Sequence, residues 1–240
     1  MFRRLALEKG AELKVHSPVT NIDIHEDSVK VDTAKESFTA DKLIISGGAW
    51  NKKILEDLDM KINIQPSRQT IAWFDSDDEL YKADSFPGFF ADVPTGVYYG
   101  FPSIDSGGFK IGRYDNGDDI DPAYYNKEFG TYEKDELDIR GFMSQYMEKA
   151  NGSLNVGKTC LFTNTPDENF IIDKHPKHDH VAIAAGFSGH GYKFSSAVGE
   201  VLSELVTVGE TKQDISLFRA TRPSLQPENK DEVYFKARGK

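Results

Sequence analysis

HVAIAAGFSGHGYKFSSAVGEVLSELVTV, residues 180–208, decides the fold class. An apolar run at 181–185 is followed by Gly186, Gly189 and Gly191, then by Phe194, Ala197, Val198, Val201, Leu202, Leu205 and Val206 at helical spacing. The order is strand, glycine turn, helix. The first turn of such a helix presents unpaired N–H groups and the positive end of its dipole, and Lys193 adds a full charge there. Two readings stay open at this level: an anion site, or a strand-to-helix connection whose glycines only relieve steric strain.

The same signature occurs upstream. Residues 42–46 (KLIIS) form a short buried-type strand, Gly47, Gly48, Ala49 and Trp50 follow, and a helix is predicted over 51–58. Two such junctions in one chain are placed to face a single ligand. Before them, β-like runs at 12–16, 19–25, 28–32 and 37–40 predict a small antiparallel meander. A short helix over 2–9 stops at Gly10 and has no N-cap, so the chain is expected to begin in mid-domain.

Between the two junctions the pattern changes. Aromatic-rich β runs at 69–74, 88–93, 97–101 and 109–114, with turns at 94–96 and 106–108, predict a mixed or antiparallel sheet forming a second domain. A helix is predicted over 134–150, with Leu137, Ile139, Phe142, Met143, Tyr146 and Met147 near one face. Strand-like runs at 158–163 and 169–173 flank the turn Thr165-Pro166-Asp167. A short run at 215–218 leads to Arg222-Pro223 and a polar tail expected to be mobile.

Composition narrows the function classes. With 240 residues, 38 % hydrophobic and 12 % aromatic, the chain is long enough for one large or two small cores. A mean hydropathy of -0.51 and the lack of a long apolar run argue against a membrane span. The net charge of -10, with no clustered Lys and Arg, disfavours nucleic acid. One cysteine, Cys160, rules out an internal disulfide and fits a reducing compartment; with no apolar leader at residues 1–10, cytoplasm is the expected location.

Several chemistries fail on inspection. Gly186-Phe187-Ser188-Gly189-His190 imitates a nucleophile elbow, but no histidine follows His190, so the chain order of an α/β-hydrolase triad is missing. The glycines read G-x-x-G-x-G, not the dinucleotide fingerprint, and too little chain follows for the strands that would hold a dinucleotide. His175, His178 and His180 sit among Lys174, Lys177 and Asp179 with no second ligand cluster, as in an exposed loop. Residues 115–121 (DNGDDID) lack the alternating ligands and closing Glu of a calcium loop. Cys160 alone is a small buried hydrophobe or, beside a cofactor, a covalent anchor.

Taken in order, ADKLII (40–45) with Gly48-Ala49-Trp50, YYGFP (98–102), Lys158-Thr159-Cys160, TPDE (165–168) with FIID (170–173), and GFSGHG (186–191) with Lys193-Phe194-Ser195 resemble monomeric sarcosine oxidase and N-methyl-tryptophan oxidase, flavin amine oxidases of the D-amino-acid oxidase-like superfamily. The resemblance runs from about residue 2 to residue 223. It implies that Cys160 carries a thioether to the 8α carbon of FAD. It also implies that Lys110 helps O2 accept electrons, that Lys193 binds the substrate carboxylate and that Tyr99 lines the amine pocket. Gly189, His190 and Gly191 then belong to the loop around substrate and flavin, and Val19, Gly47, Gly48 and Trp50 to the FAD domain nearest the nucleotide. The reaction implied is oxidation of the N-methyl C–N bond of a secondary amino acid, giving formaldehyde, primary amino acid and hydrogen peroxide.

Two departures qualify the resemblance. The family's N-terminal part, with its G-x-G-x-x-G turn, is not matched, so FAD is expected to bind this chain poorly. Tyr114 stands where the family places a pocket histidine, which points to a different amine preference. The resulting expectation is an α+β fold: a partial FAD-binding domain at 1–61, a substrate domain at 62–155, a return to the FAD domain at 156–223 and a mobile tail at 224–240. The partners expected are a small secondary amino acid and O2. The complete family member is expected to be monomeric, and this chain to pair with a separate N-terminal half or with itself. The alternative is a non-catalytic fragment acting as a binding module.

Overall fold

Three sheets organise the chain in a computed structural model that describes residues 1–104 and 107–227. A short helix, α1 (Phe2–Glu8), precedes an antiparallel meander of β1 (Val19–Ile24), β2 (Val29–Thr33) and β3 (Ser37–Ala40). The run at 12–16 alternates like a strand but forms none. Leu13 and Val15 are exposed, and His16 at φ 52° leaves the extended region, so no neighbour completes a hydrogen-bond ladder.

β4 (Leu43–Ile45) leads through a 3-10 turn at Gly48–Trp50 into α2 (Asn51–Asp57). A second sheet begins with β5 (Gln65–Phe74), followed by α3 (Asp78–Tyr81), β6 (Phe89–Val93), β7 (Gly96–Phe101), β8 (Phe109–Arg113) and β9 (Asp118–Asp119). Then come α4 (Lys134–Tyr146), β10 (Leu154–Asn164), β11 (Ile171–His175), β12 (His178–Ala185) and α5 (Ser195–Thr207). The second sheet is antiparallel in the order β10-β5-β8-β7-β6, with β9 pairing β5. The turn at 94–96 joins β6 to β7 as expected, whereas Ser106 of the other predicted turn lies outside the described residues.

The third sheet explains the uninterrupted apolar run. β12 lies between β11, antiparallel, and β4, parallel. Val181, Ile183 and Ala185 enter a core with Leu55 of α2 and Val29 of β2, while Ala182 and Ala184 face Val201, Leu202, Leu205 and Val206 of α5. A strand covered on both faces has no polar side to show in its sequence. Each of the four α5 side chains contributes a gross burial term of about 1.5–3 kcal/mol.

One face of the second sheet buries Ala72, Phe74, Tyr98, Phe109 and Ile111 against Ile139, Phe142 and Met143 of α4. Leu137 and Tyr146, predicted on that apolar face, are exposed, and the regular helix ends at Tyr146. Arg68 of β5 fixes α4, with both terminal guanidinium nitrogens 2.7 Å from the Asp135 carboxylate in a fully buried pair. Burial works to raise Asp135, but the guanidinium and the Gly130 N–H hold it below the usual carboxylate range.

Two expected boundaries shift. The cut at 155/156 falls inside β10, which pairs with β5 from Leu154 to Asn164, so the sheet runs to residue 164. The tail expected from 224 is packed at its start: Leu225 is fully buried and its carbonyl accepts from the Asn63 N–H at 2.7 Å. Among the described residues no helix is long and apolar enough to cross a membrane.

Candidate functional site

Parallel pairing of β4 with β12, with Leu43 opposite Val181 and Ile45 opposite Ile183, brings the two strand–glycine–helix junctions side by side. Their carboxyl ends open onto a cleft of about 310 Å³. Ser46, Gly48 and Ala49 line it from the first junction, Gly186, Phe187, Gly189, Gly191 and Tyr192 from the second, and Leu161, Phe162 and Thr163 from β10. Clefts at the carboxyl ends of parallel strands are the usual ligand sites of such sheets.

Asn51, fully buried, welds the two junctions together. Its Nδ2 donates to the Ala184 carbonyl at 2.9 Å, and its Oδ1 accepts from the Gly47 N–H at 2.8 Å. Sequence reading passed over it, because an asparagine at a helix start usually serves only its own helix.

The loop at 186–191 is held in one shape. Ser188, buried at φ 46°, donates its N–H to the Thr163 carbonyl at 3.0 Å and accepts the Thr165 N–H on Oγ at 3.2 Å. Gly189 has φ 83°, and a Cβ there would lie 2.3 Å from the Phe162 ring, so only glycine fits. The Tyr114 hydroxyl donates to the Ser188 carbonyl at 3.0 Å, which ties this loop to the edge of β8.

The register of the second sheet then decides which side chains meet. Cys160 pairs with Gln69, Trp73 with Lys110, Lys110 with Phe101, and Gly112 with both Ile71 and Tyr99. Directly opposed residues point to the same face, so Tyr99, Lys110 and Cys160 share the face opposite α4. A Cβ on Gly112 would lie 3.0 Å from the Tyr99 hydroxyl, so the glycine leaves room for that ring. Burial pushes the Tyr99 phenol well above its ordinary value, with the neighbouring Cys160 adding to the effect. Burial also pushes the Cys160 thiol up, and the Lys110 ammonium opposes it. Phe162, two residues and about 7 Å further along β10, carries this face into the cleft.

Other expected residues stand apart. Lys193 is exposed and its Nζ donates back to the His190 carbonyl at 3.1 Å. The His190 ring turns onto Phe170, 4.8 Å between centroids, with Nε2 3.2 Å from the Glu168 carbonyl, and does not line the cleft. Trp50 is half exposed and also outside the lining. Val19 lies in a separate groove with Ile54, Asp57 and Leu58. Gly47 acts through the Asn51 bond and packs on Ile54, where a Cβ would come within 2.7 Å. His175 and His178 sit at the opposite end of the β11–β12 hairpin, and among the described residues no group of three or more His, Cys, Asp or Glu is placed to hold a metal.

A flat aromatic cofactor suits this arrangement. Gly48 at φ 59° meets nothing within 4 Å of an added Cβ, Ala49, Leu161 and Phe162 supply apolar walls, and Gln69 Oε1, beside Cys160, is buried without a hydrogen-bond partner. An apolar slot is the usual setting for a heterocycle, and the unmet Gln69 oxygen lies outside its lining, on the strand next to Cys160.

The family model for FAD-dependent oxidoreductases matches residues 1–205. A monomeric sarcosine oxidase of Bacillus sp. (strain B-0618) is 52 % identical over 226 residues, covering 94 % of this chain and 58 % of that protein. An N-methyl-L-tryptophan oxidase of Salmonella heidelberg (strain SL476) is 33 % identical over 220 residues, covering 91 % and 58 %. The chain thus spans 58 % of the length of these relatives. Among solved structures, L-proline dehydrogenase from P. horikoshii aligns with a TM-score of 0.76 at 23 % identity, over 100 % of this chain and 59 % of that one. NikD, an amino acid oxidase of nikkomycin biosynthesis, aligns with a TM-score of 0.77 at 20 % identity, over 90 % and 57 %.

Proposed function

The chain belongs to the FAD-dependent oxidoreductase family, and from that membership we propose that it carries the amine-binding part of a flavoprotein oxidising the N-methyl C–N bond of a secondary amino acid such as sarcosine. The observation that carries the proposal is the shared sheet face of Tyr99, Lys110 and Cys160, continuous through Phe162 with the cleft. Bound FAD would supply the acceptor for the two electrons and two protons lost as the N-methyl CH–NH unit becomes an imine, which water hydrolyses, and O2 would take them on to hydrogen peroxide. Cys160 would hold its ring by a thioether, and Gly48 leaves open space beside the cleft, while Gly189 packs on Phe162.

The remaining roles belong to the chain's own groups. Lys110 supplies a positive charge where O2 acquires electrons, a preorganised stabilisation of developing negative charge. Tyr99, its phenol held neutral by burial, offers a hydroxyl to the substrate. Lys193 would have to swing from the His190 carbonyl to meet a substrate carboxylate, a move its exposed position allows. Tyr114 acts on substrate shape indirectly, by fixing Ser188.

The test is to express the chain with and without the N-terminal part that its longer relatives carry, supply FAD and a secondary amino acid, and follow peroxide and protein-bound flavin, the longer form deciding the thioether. Yellow colour surviving acid precipitation, and lost in Cys160→Ser, is the expected result. Flavin fully released by acid would overturn the thioether.

A second reading, a binding module that requires a separate partner chain, draws on β4, which among the described residues has a strand neighbour on one side only. Such an edge recruits another strand. Peroxide formation by this chain alone would exclude that reading.

A further inference from the structure

Trp73, Lys110 and Phe101 form one cross-strand row over β5, β8 and β7, all on the face that carries Cys160. The Lys110 Nζ lies 5.2 Å from the Trp73 ring centroid and 5.4 Å from that of Phe101. No acidic side chain pairs with Lys110 among the described residues. Lys193 differs in having one ring and a hydrogen bond: its ammonium lies 5.1 Å from the Phe194 centroid and donates to the His190 carbonyl, whereas Lys110 lies between two rings.

We infer that Trp73 and Phe101 are positioning residues that hold the Lys110 ammonium in place while leaving its charge unneutralised. The inference rests on the reading of Lys110 given above. A carboxylate would position the ammonium equally well, but its negative charge would cancel the field that an accepting O2 requires. Aromatic faces attract a cation through their quadrupole and carry no net charge. They also restrict a long, flexible side chain that otherwise samples many rotamers. The indole is the hub of the row, because the Lys158 Nζ lies 5.7 Å from the same ring. Lys158 is exposed, so it adds charge near Trp73 without being held between two rings.

The test uses the full chain without requiring flavin. Competitive acetylation by acetic anhydride, read by mass spectrometry, compares Lys110 with the exposed Lys42 in wild type, Trp73→Leu, Trp73→Phe and Phe101→Leu. Trp73→Leu and Phe101→Leu are expected to raise relative labelling of Lys110 roughly three- to tenfold, the size expected for loss of one ring–cation contact. Trp73→Phe, which keeps an aromatic face, should stay within about twofold of wild type. Phe101 is partly exposed, so Phe101→Leu carries the test if Trp73→Leu fails to fold. Unchanged labelling in the folded Leu variants, or Trp73→Phe behaving like Trp73→Leu, overturns the inference. In flavin-loaded protein, Lys110→Met with an unchanged oxygen rate would instead sink the role of Lys110 and leave the clamp intact.

Discussion

Asn51 is the residue on which the geometry of the cleft turns, because one carboxamide satisfies a strand carbonyl and a turn N–H that are 137 residues apart at Gly47 and Ala184. Asn51→Ala would leave both groups without their partner, at a cost of about 3 kcal/mol. For a chain of this size that lowers the melting temperature by roughly 6–12 °C. A fall of under about 2 °C in calorimetry would show that water replaces the carboxamide. Gly189 makes the complementary case. Gly189→Ala combines a disfavoured φ of 83° with a collision at Phe162, so it should destabilise the fold by about 1–3 kcal/mol and shift the loop that Tyr114 braces. Tyr114→Phe, which removes only the hydroxyl on Ser188, should cost about 1 kcal/mol in urea denaturation. These residues explain what the sequence could and could not disclose. The two glycine junctions were legible from local spacing, and both line one cleft. Asn51 and Gln69 were not, because their significance lies in partners on strands distant in the chain.

At the level of elements, the turn between β10 and β11 is held by the chain's C-terminal segment. Arg222 donates from Nε and a terminal nitrogen to Asp167 at 2.8 and 2.9 Å, and Ser224 donates to the same carboxylate at 2.6 Å. Burial acts to raise Asp167, but the guanidinium and these donors overcome it and hold the carboxyl far below its usual range. The same turn carries Thr165, whose N–H anchors Ser188, so the tie reaches the cleft loop. Asp167→Asn should cost about 2–4 kcal/mol at pH 7, since it strands a mostly buried guanidinium. A carboxylate whose folded pKa is depressed contributes stability above its unfolded value of about 3.9 and loses it as pH falls. The difference between variant and wild type should therefore shrink below about pH 4. A constant difference down to pH 3 in denaturation curves would contradict this. Sequence patterning located both strands but not this tie, and it began β5 at residue 69 instead of 65. The missing four residues, Gln65 to Arg68, pair with Leu161 to Asn164, so their strand character comes from β10 and not from their own alternation.

For the whole molecule, acid stability should show two steps of the same sign. The upper one belongs to His175, at the end of the β11–β12 hairpin remote from the cleft. Burial holds its imidazole below the ordinary value, the nearby His178 and Lys177 add to this, and the Leu58 carbonyl opposes it. His178 packs ring to ring with His175 at 4.8 Å, His180 follows at 5.9 Å from His178, and Asp59 and Lys61 border the same groove. In the unfolded chain such an imidazole titrates near 6.5. Between that value and the lower folded one, the unfolded state binds more protons, so stability rises with pH in this window. It is complete above about pH 6.5 and is lost as pH falls below it. The lower step, near the carboxylate range, belongs to Asp167 and Asp135. Urea midpoints measured from pH 8 to pH 3 should fall in two stages. His175→Gln should remove the upper stage and leave the lower, and Asp167→Asn should reduce only the lower. A wild-type midpoint that stays flat from pH 8 to pH 5 would show that the hairpin end opens enough to hydrate the charged imidazole.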